Sequence, residues 1–332
     1  MTWENNTKSQ HFVSQVEQRF NALNPNAATK NQRIYDFEII NRETPELRLL
    51  SHNGQNISRT LAYSDLYSFE LEQDKQIRNN FENAFYRYEK DIKTHTENLL
   101  QKLISRRIDI NVNDEVVNLF TTKLLNCARN PFSIHKMLNT FGALTDYLPT
   151  SPEQQTPFNR ILNGSKPHQK RLCHDFGISE TEYEQWLRML FMLFIPSGEG
   201  DLNMLESIVK TGFTDPRFEI GVLVSLYSSP QCLLSDRSFS SNIEKPGMDG
   251  FDFNLSSKAF IRYMFANIDE IVSSCKPPEI LSAFKAERKK LPRQIQLNYC
   301  FNNMELLGGF NRNVIYQSNR HVYCASKTPF IF

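Results

Sequence analysis

The sequence predicts a helix-rich α+β fold, and three observations lead to it. Strand-like runs lie near both ends of the chain, at 33–40 and 46–50 and again at 218–226, 251–255, 259–265 and 321–326. Between them, segments with helical spacing of apolar residues follow one another from residue 71 to residue 211. Glycine is scarce, 12 in 332 residues, which argues against a turn-dense all-β architecture. Strands, then helices, then strands imply one α+β unit over 1–332. Its mixed sheet is built from N-terminal and C-terminal strands, with core parts at 8–110 and 215–328 and a central helical insert at 111–214. Should the chain hold separate domains, Leu148-Pro149-Thr150-Ser151-Pro152 is the best linker.

Each element has a local reason. Residues 11–23 form a short helix, because Phe12, Val16, Phe20 and Leu23 fall on one stripe. Asn24-Pro25-Asn26 ends it. Runs at 33–40, 46–50 and 55–62 read as strands, and Asn53-Gly54 suits a hairpin turn. From 71 to 107 there is no Gly or Pro. Ile77, Phe81, Phe85, Tyr88, Ile92, Leu99 and Leu103 recur there at helical steps, so this is one long helix. Further helices are expected at 114–128, 132–146, 155–163, 179–195 and 202–211. Ser179 and Glu182 stand at capping-box spacing before the most apolar of them. Strands follow at 218–226, 231–234, 251–255 and 259–265. After Pro277-Pro278 come helices at 279–289 and 292–310, then a last strand at 321–326.

Bulk properties exclude several classes. With 38 basic and 37 acidic residues the net charge is +1, so no global field steers the chain to nucleic acid or an anionic membrane. A nucleic-acid site would need local clustering. Six cysteines include no C-x-x-C pair, which speaks against structural zinc and for buried reduced thiols. No nucleotide-cofactor motif is present, and no Gly-rich phosphate loop. No secretory signal is visible, and the apolar run at 186–196 is about half a membrane span. A cytoplasmic location without a membrane partner is expected.

Several residues are candidates for chemistry. Glu82 and Glu89 are seven apart on the long helix, so both point to one side, about 10 Å apart along the axis. They suit a metal or acid–base site, or else two solvated carboxylates paired with Arg78, Arg87 or Lys93. His11 and Gln15, spaced by four, can face one point; the His can move a proton or bind a metal, and the Gln can orient water. Asp236 ends an apolar strand, where it is either catalytic or a cap for the following turn. Ser235 beside it lacks a Gly-x-Ser-x-Gly elbow. Asn298 and Asn302, one turn apart on the expected last helix, and His321 on the final strand are accessory candidates. Lys285, Arg288, Lys289, Lys290 and Arg293 form one basic cluster, and Lys166, Lys170 and Arg171 another; either suits phosphate or is a solvated helix face.

These residues, in this order, resemble the bacterial family known as domain of unknown function 4238. Its His-His-x-x-Pro-Gln opening is similar to Gln10-His11-Phe12-Val13-Ser14-Gln15, with Gln10 and Ser14 departing from it. Its Thr-Ser-Asp-x-Pro strand end resembles Leu234-Ser235-Asp236-Arg237-Ser238, which keeps Ser-Asp and loses Thr and Pro. Phe253-Asn254-Leu255-Ser256, Asp65-Leu66-Tyr67, the pair Glu82 and Glu89, and Arg320-His321-Val322-Tyr323 fit in order. The resemblance implies a shared architecture, one polar cluster and a bacterial defence context.

Two functional expectations follow. The first is a metal-dependent nuclease hydrolysing DNA or RNA. Glu82, Glu89 and Asp236 would bind Mg²⁺ or Mn²⁺, His11 would be general base or extra ligand, and Gln15 would orient water. The second is a non-catalytic sensor or interaction subunit of a defence or toxin operon, with a protein partner from the same operon. Its basis is the neutral charge and the many Phe residues.

Overall fold

The structure, a computed structural model, describes residues 2–72, 77–105, 111–196, 202–241, 246–273 and 295–331, with 282–283 and 286–287. Along the chain run β1 (Ser9–His11), α1 (Gln15–Phe20), β2 (Arg33–Asn41), β3 (Glu46–Leu49), β4 (Gln55–Asn56), β5 (Ala62–Ser64), β6 (Glu70–Glu72) and β7 (Ile77–Asn79). Helices α2 (Glu82–Ile104), α3 (Asn113–Ala128), α4 (Ile134–Phe141), α5 (Pro152–Asn163), α6 (Gln169–Phe176), α7 (Glu180–Leu193) and α8 (Met204–Thr214) follow. The remainder is β8 (Phe218–Leu226), β9 (Leu234–Ser235), β10 (Met248–Ser256), β11 (Ala259–Asn267), α9 (Ile268–Ser273), β12 (Gln296–Phe301), α10 (Met304–Gln317) and β13 (His321–Cys324). This is an α+β fold with mixed sheets. Among the described residues no helix is long and apolar enough to cross a membrane.

The chain divides into two compact units: 1–17, 58–98 and 118–208 form the first, and 18–57, 99–117 and 209–332 the second. The stretch 148–152 lies inside the first unit.

The first unit is built on α7. Ser179 caps this helix and Glu182 completes the capping box, so the chain enters it at a fixed angle. Tyr183, Trp186, Leu187, Leu190 and Phe191 are buried along its length. Each such side chain stabilises by about 1.5–3 kcal/mol relative to exposure. The polar tips of the large aromatics are matched: Trp186 Nε1 donates to the Ala128 carbonyl at 2.7 Å, and the Tyr183 hydroxyl to that of Leu66 at 2.8 Å. Phe81 and Phe85 of the α2 region join Tyr67 in the same aromatic cluster, with the Tyr67 and Phe85 rings 4.8 Å apart. Two small antiparallel ribbons, β1–β5 and β6–β7, complete this unit.

The second unit holds two sheets. One has the order β3-β2-β13-β9, with β4 also on β2, and every pair antiparallel. It therefore joins N-terminal and C-terminal strands. The other has the order β10-β11-β8-β12, with β12 parallel to β8 and the rest antiparallel. Helix α10 covers Phe37, Leu233, Phe260 and Val322, and Phe310 stacks on Phe260 at 4.2 Å. Asn311, fully buried, is satisfied: its amide accepts from Leu233 N and donates to the carbonyls of Gln231 and Phe330. Arg42 caps the C-terminal end of α10 by donating to the carbonyls of Tyr316, Ser318 and Asn319.

Three expectations about elements are corrected, and a fourth falls mostly outside the described residues. The long helix starts at Glu82, because 70–72 and 77–79 pair as a ribbon and the Asn80 side chain accepts from Glu82 N at 3.0 Å. Asn53-Gly54 does not close a β3–β4 hairpin, since both strands pair with β2. The helix expected at 292–310 is instead β12 followed by α10, so Asn298 lies on a strand and Asn302 in a left-handed turn at φ 54. Most of the helix expected at 279–289 lies outside the described residues, as do Lys285, Arg288, Lys289, Lys290 and Arg293. Five cysteines are free, with Cys127, Cys173, Cys232 and Cys324 buried and Cys300 half-buried; Cys275 is outside the described residues.

Candidate active site

The first unit contains a polar network inside apolar surroundings. Lys123, Asn126 and Arg129 are three residues apart, so they line one face at the end of α3. Lys123 forms an ion pair with Glu17, and both side chains are almost fully buried. The Asn126 amide donates to the same Glu17 carboxylate, and so does the Ser14 hydroxyl at 3.0 Å. Arg129 donates to Asn126 Oδ1 at 2.8 Å and meets Glu89 Oε1 at 2.5 Å. Its guanidinium lies over the Phe85 ring, 4.8 Å from the centroid. The Tyr67 hydroxyl donates to the Arg129 carbonyl at 2.8 Å. Arg129 is 1% exposed and Glu89 24%, so the network runs from the interior to a partly wetted end.

Glu82 is the surplus charge of this group. Glu17 has Lys123 and Glu89 has Arg129. Glu82 is mostly buried, and its Oε1 has no hydrogen-bond partner. Burial raises its carboxyl from 4.5 to about 7; nearby Arg129 opposes the rise and Glu89 adds to it. Glu82 also occupies the first turn of α2, where the helix dipole favours a carboxylate. Desolvation outweighs that benefit. The result is a carboxyl that takes and gives up a proton near neutral pH, two helical turns from an ion pair.

His11 and Gln15 are brought together as expected. Gln15 Nε2 lies 2.9 Å from His11 Nε2, and His11 Nδ1 lies 3.0 Å from the Thr60 carbonyl. A carbonyl only accepts, so Nδ1 carries the proton and Nε2 accepts from the Gln15 amide. The Gln15 amide therefore orients the imidazole. Gln10, where the resembled family has a His, is fully buried; it donates to Ser68 Oγ at 3.2 Å and accepts from Tyr67 N. The helix partners expected for the glutamates are engaged elsewhere: Arg78 pairs with Asp65, Arg87 with Glu206 and Lys93 with Glu97.

Asp236 belongs to the second unit, where its carboxylate serves the start of β13. Its two oxygens accept from the backbone N–H groups of Asn319, Arg320 and His321 at 2.6–2.9 Å, fixing the entry to β13. Burial pushes this carboxyl up, and the three N–H groups pull it back. The Ser235 hydroxyl is buried, 2.8 Å from that of Ser318, and accepts from Arg237 N. Asn302 accepts from Ser228 N at 2.9 Å. Asn298 pairs in register with Leu223.

His321 binds Asp36 Oδ1 through Nδ1 at 2.8 Å, and this hydrogen bond raises its pKa above 6.5 while burial opposes. The stabilisation is therefore complete below the ordinary value and lost as pH rises through the raised folded one. An Asp36→Asn variant is expected to lose less stability than the parent between about pH 6 and pH 8. Urea midpoints at both ends of that range check this, and parallel losses would refute it.

The carboxylates expected to share a metal ion have other partners: Arg129 holds Glu89, and the backbone at 319–321 holds Asp236. Among the described residues, no three His, Cys, Asp or Glu side chains are gathered as a metal ion needs. Sequence reasoning missed Glu17, Lys123, Asn126 and Arg129. The available signal was polar residues at steps of three in an otherwise apolar helix end, Leu124-Leu125-Asn126-Cys127-Ala128-Arg129. Comparison with known proteins finds no match among family models, curated proteins or solved structures.

Proposed function

We propose that the chain is a hydrolase working by general acid–base catalysis, with Glu82 transferring the proton. One observation carries this reading: a mostly buried carboxyl with an unpartnered oxygen, poised near pH 7, beside a fixed Glu89–Arg129 ion pair. Buried carboxyls held near neutrality suit protonation of a leaving group or deprotonation of water. Arg129 is a positioning residue, since it holds Glu89 and Asn126 and tempers Glu82. We assign nucleic-acid phosphodiesters as the substrate class, and kinship with the domain of unknown function 4238 family is part of the same proposal. In this form the acid–base work falls to Glu82 rather than to a metal held by three carboxylates.

The test is turnover on plasmid DNA, single-stranded DNA and tRNA, with chelator and with added Mg²⁺ or Mn²⁺. Cleavage is expected in both conditions. Glu82→Gln is expected to lower it by about 100-fold to 10 000-fold and to remove the pH limb near 7. Unchanged turnover in that variant overturns the site, and three intact nucleic acids overturn the substrate class. The second reading, an interaction subunit, draws on Tyr147 and Leu148, adjacent in the first unit and 62% and 67% exposed.

A further inference from the structure

The edges of the two sheets in the second unit are not guarded alike. A free edge offers its amide and carbonyl groups to any extended chain, and proteins protect it with charge, proline, a bulge or shortness. Strand β3 carries Glu46 and Arg48, the latter paired with Glu38 of β2. Strand β9 has two residues. Strand β10 meets Ser240 through a bridge at Asp252, whose backbone bonds of 2.7 and 3.0 Å occupy that part of its edge. Strand β12 has none of these devices. Its residues Gln296–Phe301 pair with β8 without a bulge, and among the described residues no strand pairs with its outer side. From Ile295 to Met304 the sequence holds no charge and no proline.

This edge is apolar as well as open. Leu297, Tyr299 and Phe301 alternate onto one face and stand in register with Val222, Val224 and Leu226 of β8. Those three are buried, and so are Tyr263, Ile261 and Ala259, which follow in register on β11. The core layer of the sheet therefore runs outward into β12, where Tyr299 and Phe301 are each 38% exposed. Their rings meet edge to face at 5.9 Å, so the pair presents one preformed surface.

The pattern of β12 selects the occupant. An uncharged strand has no electrostatic means of choosing a foreign peptide, and it does not repel its own copy. Two identical strands paired antiparallel about a twofold axis perpendicular to the sheet keep their apolar sides on one face. Parallel pairing about an axis along the strand puts those sides on opposite faces. Centred on Tyr299, the antiparallel register sets Tyr299 against its own copy and Leu297 against Phe301. On the other face it sets Asn298 against Cys300.

We propose that β12 pairs with β12 of a second copy of this chain, joining two four-stranded sheets across a twofold axis at Tyr299. The pairing does not depend on turnover at Glu82, so its failure leaves that reading standing. Sedimentation of the full chain over a range of concentrations tests it. A strand pair of this length is at the low end of interface sizes, so a reversible dimer in the micromolar range is expected. Tyr299→Lys puts like charges together at the axis and is expected to weaken the dimer roughly tenfold or more. Tyr86→Lys changes an exposed aromatic of the first unit and is expected to leave it unchanged. Residues directly opposite in an antiparallel pair have Cα atoms about 4.5–5.5 Å apart, within disulfide reach. With oxidised glutathione as the oxidant, Asn298→Cys is therefore expected to join covalently to Cys300 of the other copy. A non-reducing gel reads this, with the parent chain as the control. Circular dichroism confirms that the variants are folded. A monomer at every concentration, a dimer that Tyr299→Lys leaves as strong, or no covalent dimer from Asn298→Cys overturns the proposal.

Discussion

Replacing Glu82 by Gln is expected to give a protein that is more stable than its parent above pH 7 and catalytically crippled. The carboxyl moves from 4.5 to about 7 on folding, mainly through burial. The folded state thus binds a proton that the unfolded state has released between those values. Stability falls as pH rises through that window, and the loss is complete above about pH 7. The corresponding energy is on the order of 3 kcal/mol. Glutamine keeps the shape and removes the charge, so the gain appears at pH 8 and is small at pH 4.5. Urea unfolding of parent and variant at the two pH values measures it. A difference between the proteins that does not change with pH would refute the buried, proton-poised carboxyl. Together, higher stability and lost turnover are the signature of a group kept in an unfavourable place for its chemistry.

Arg129→Met is expected to destabilise the first unit by about 3 kcal/mol. The methionine fills part of the volume, but Glu89 loses its partner, Asn126 loses a donor to its carbonyl oxygen, and the Phe85 ring loses its cation. Removing one member of a buried pair typically costs about 3–5 kcal/mol. The lower end applies here, because Glu89 is 24% exposed and water can reach it. Adding Glu89→Gln to Arg129→Met should recover part of the loss, since the stranded charge is then gone. Arg129 also holds the Glu82 carboxyl down, so its removal should shift any pH limb to higher pH. A single variant within about 0.5 kcal/mol of the parent would show that the pair contributes little.

The fold class was readable because its signals are local. Ser179 and Glu182 announce the start of α7, and Phe85, Ile92, Leu99 and Leu103 mark one face of α2. The strands at both ends are rich in β-branched and aromatic residues over 33–41 and 218–226. Where the reading failed, two structures shared one pattern. Leu297 and Phe301, like Leu306 and Phe310, stand four apart, a step a helix accepts, yet Asn302 turns left-handed and Asn303 caps a new helix. Residues 70–79 lack Gly and Pro, so nothing in the composition announced a ribbon before Asn80. The site was half legible for the same reason. Helical spacing put Glu82 and Glu89 on one side, and spacing by four put His11 beside Gln15. Their environment was not legible, because it comes from far along the chain: Arg129 is 40 residues from Glu89, and Asp236 serves backbone groups 83–85 residues away.

The strand order β3-β2-β13-β9 has a consequence for how the chain is made. Strand β2 at Arg33–Asn41 lies between β3 and β13, and β13 is His321–Cys324. During synthesis at about 5–20 residues per second, one side of β2 waits for tens of seconds before its neighbour exists. Over that interval its amide and carbonyl groups present an open edge, a template for pairing with another nascent chain. The segments of the first unit are complete by residue 208, so that unit can close while the ribosome is still at work. The second cannot finish its sheet until residues 321–324 have been made. Its vulnerability to aggregation is therefore greatest during translation, and long-range pairing sets its folding speed.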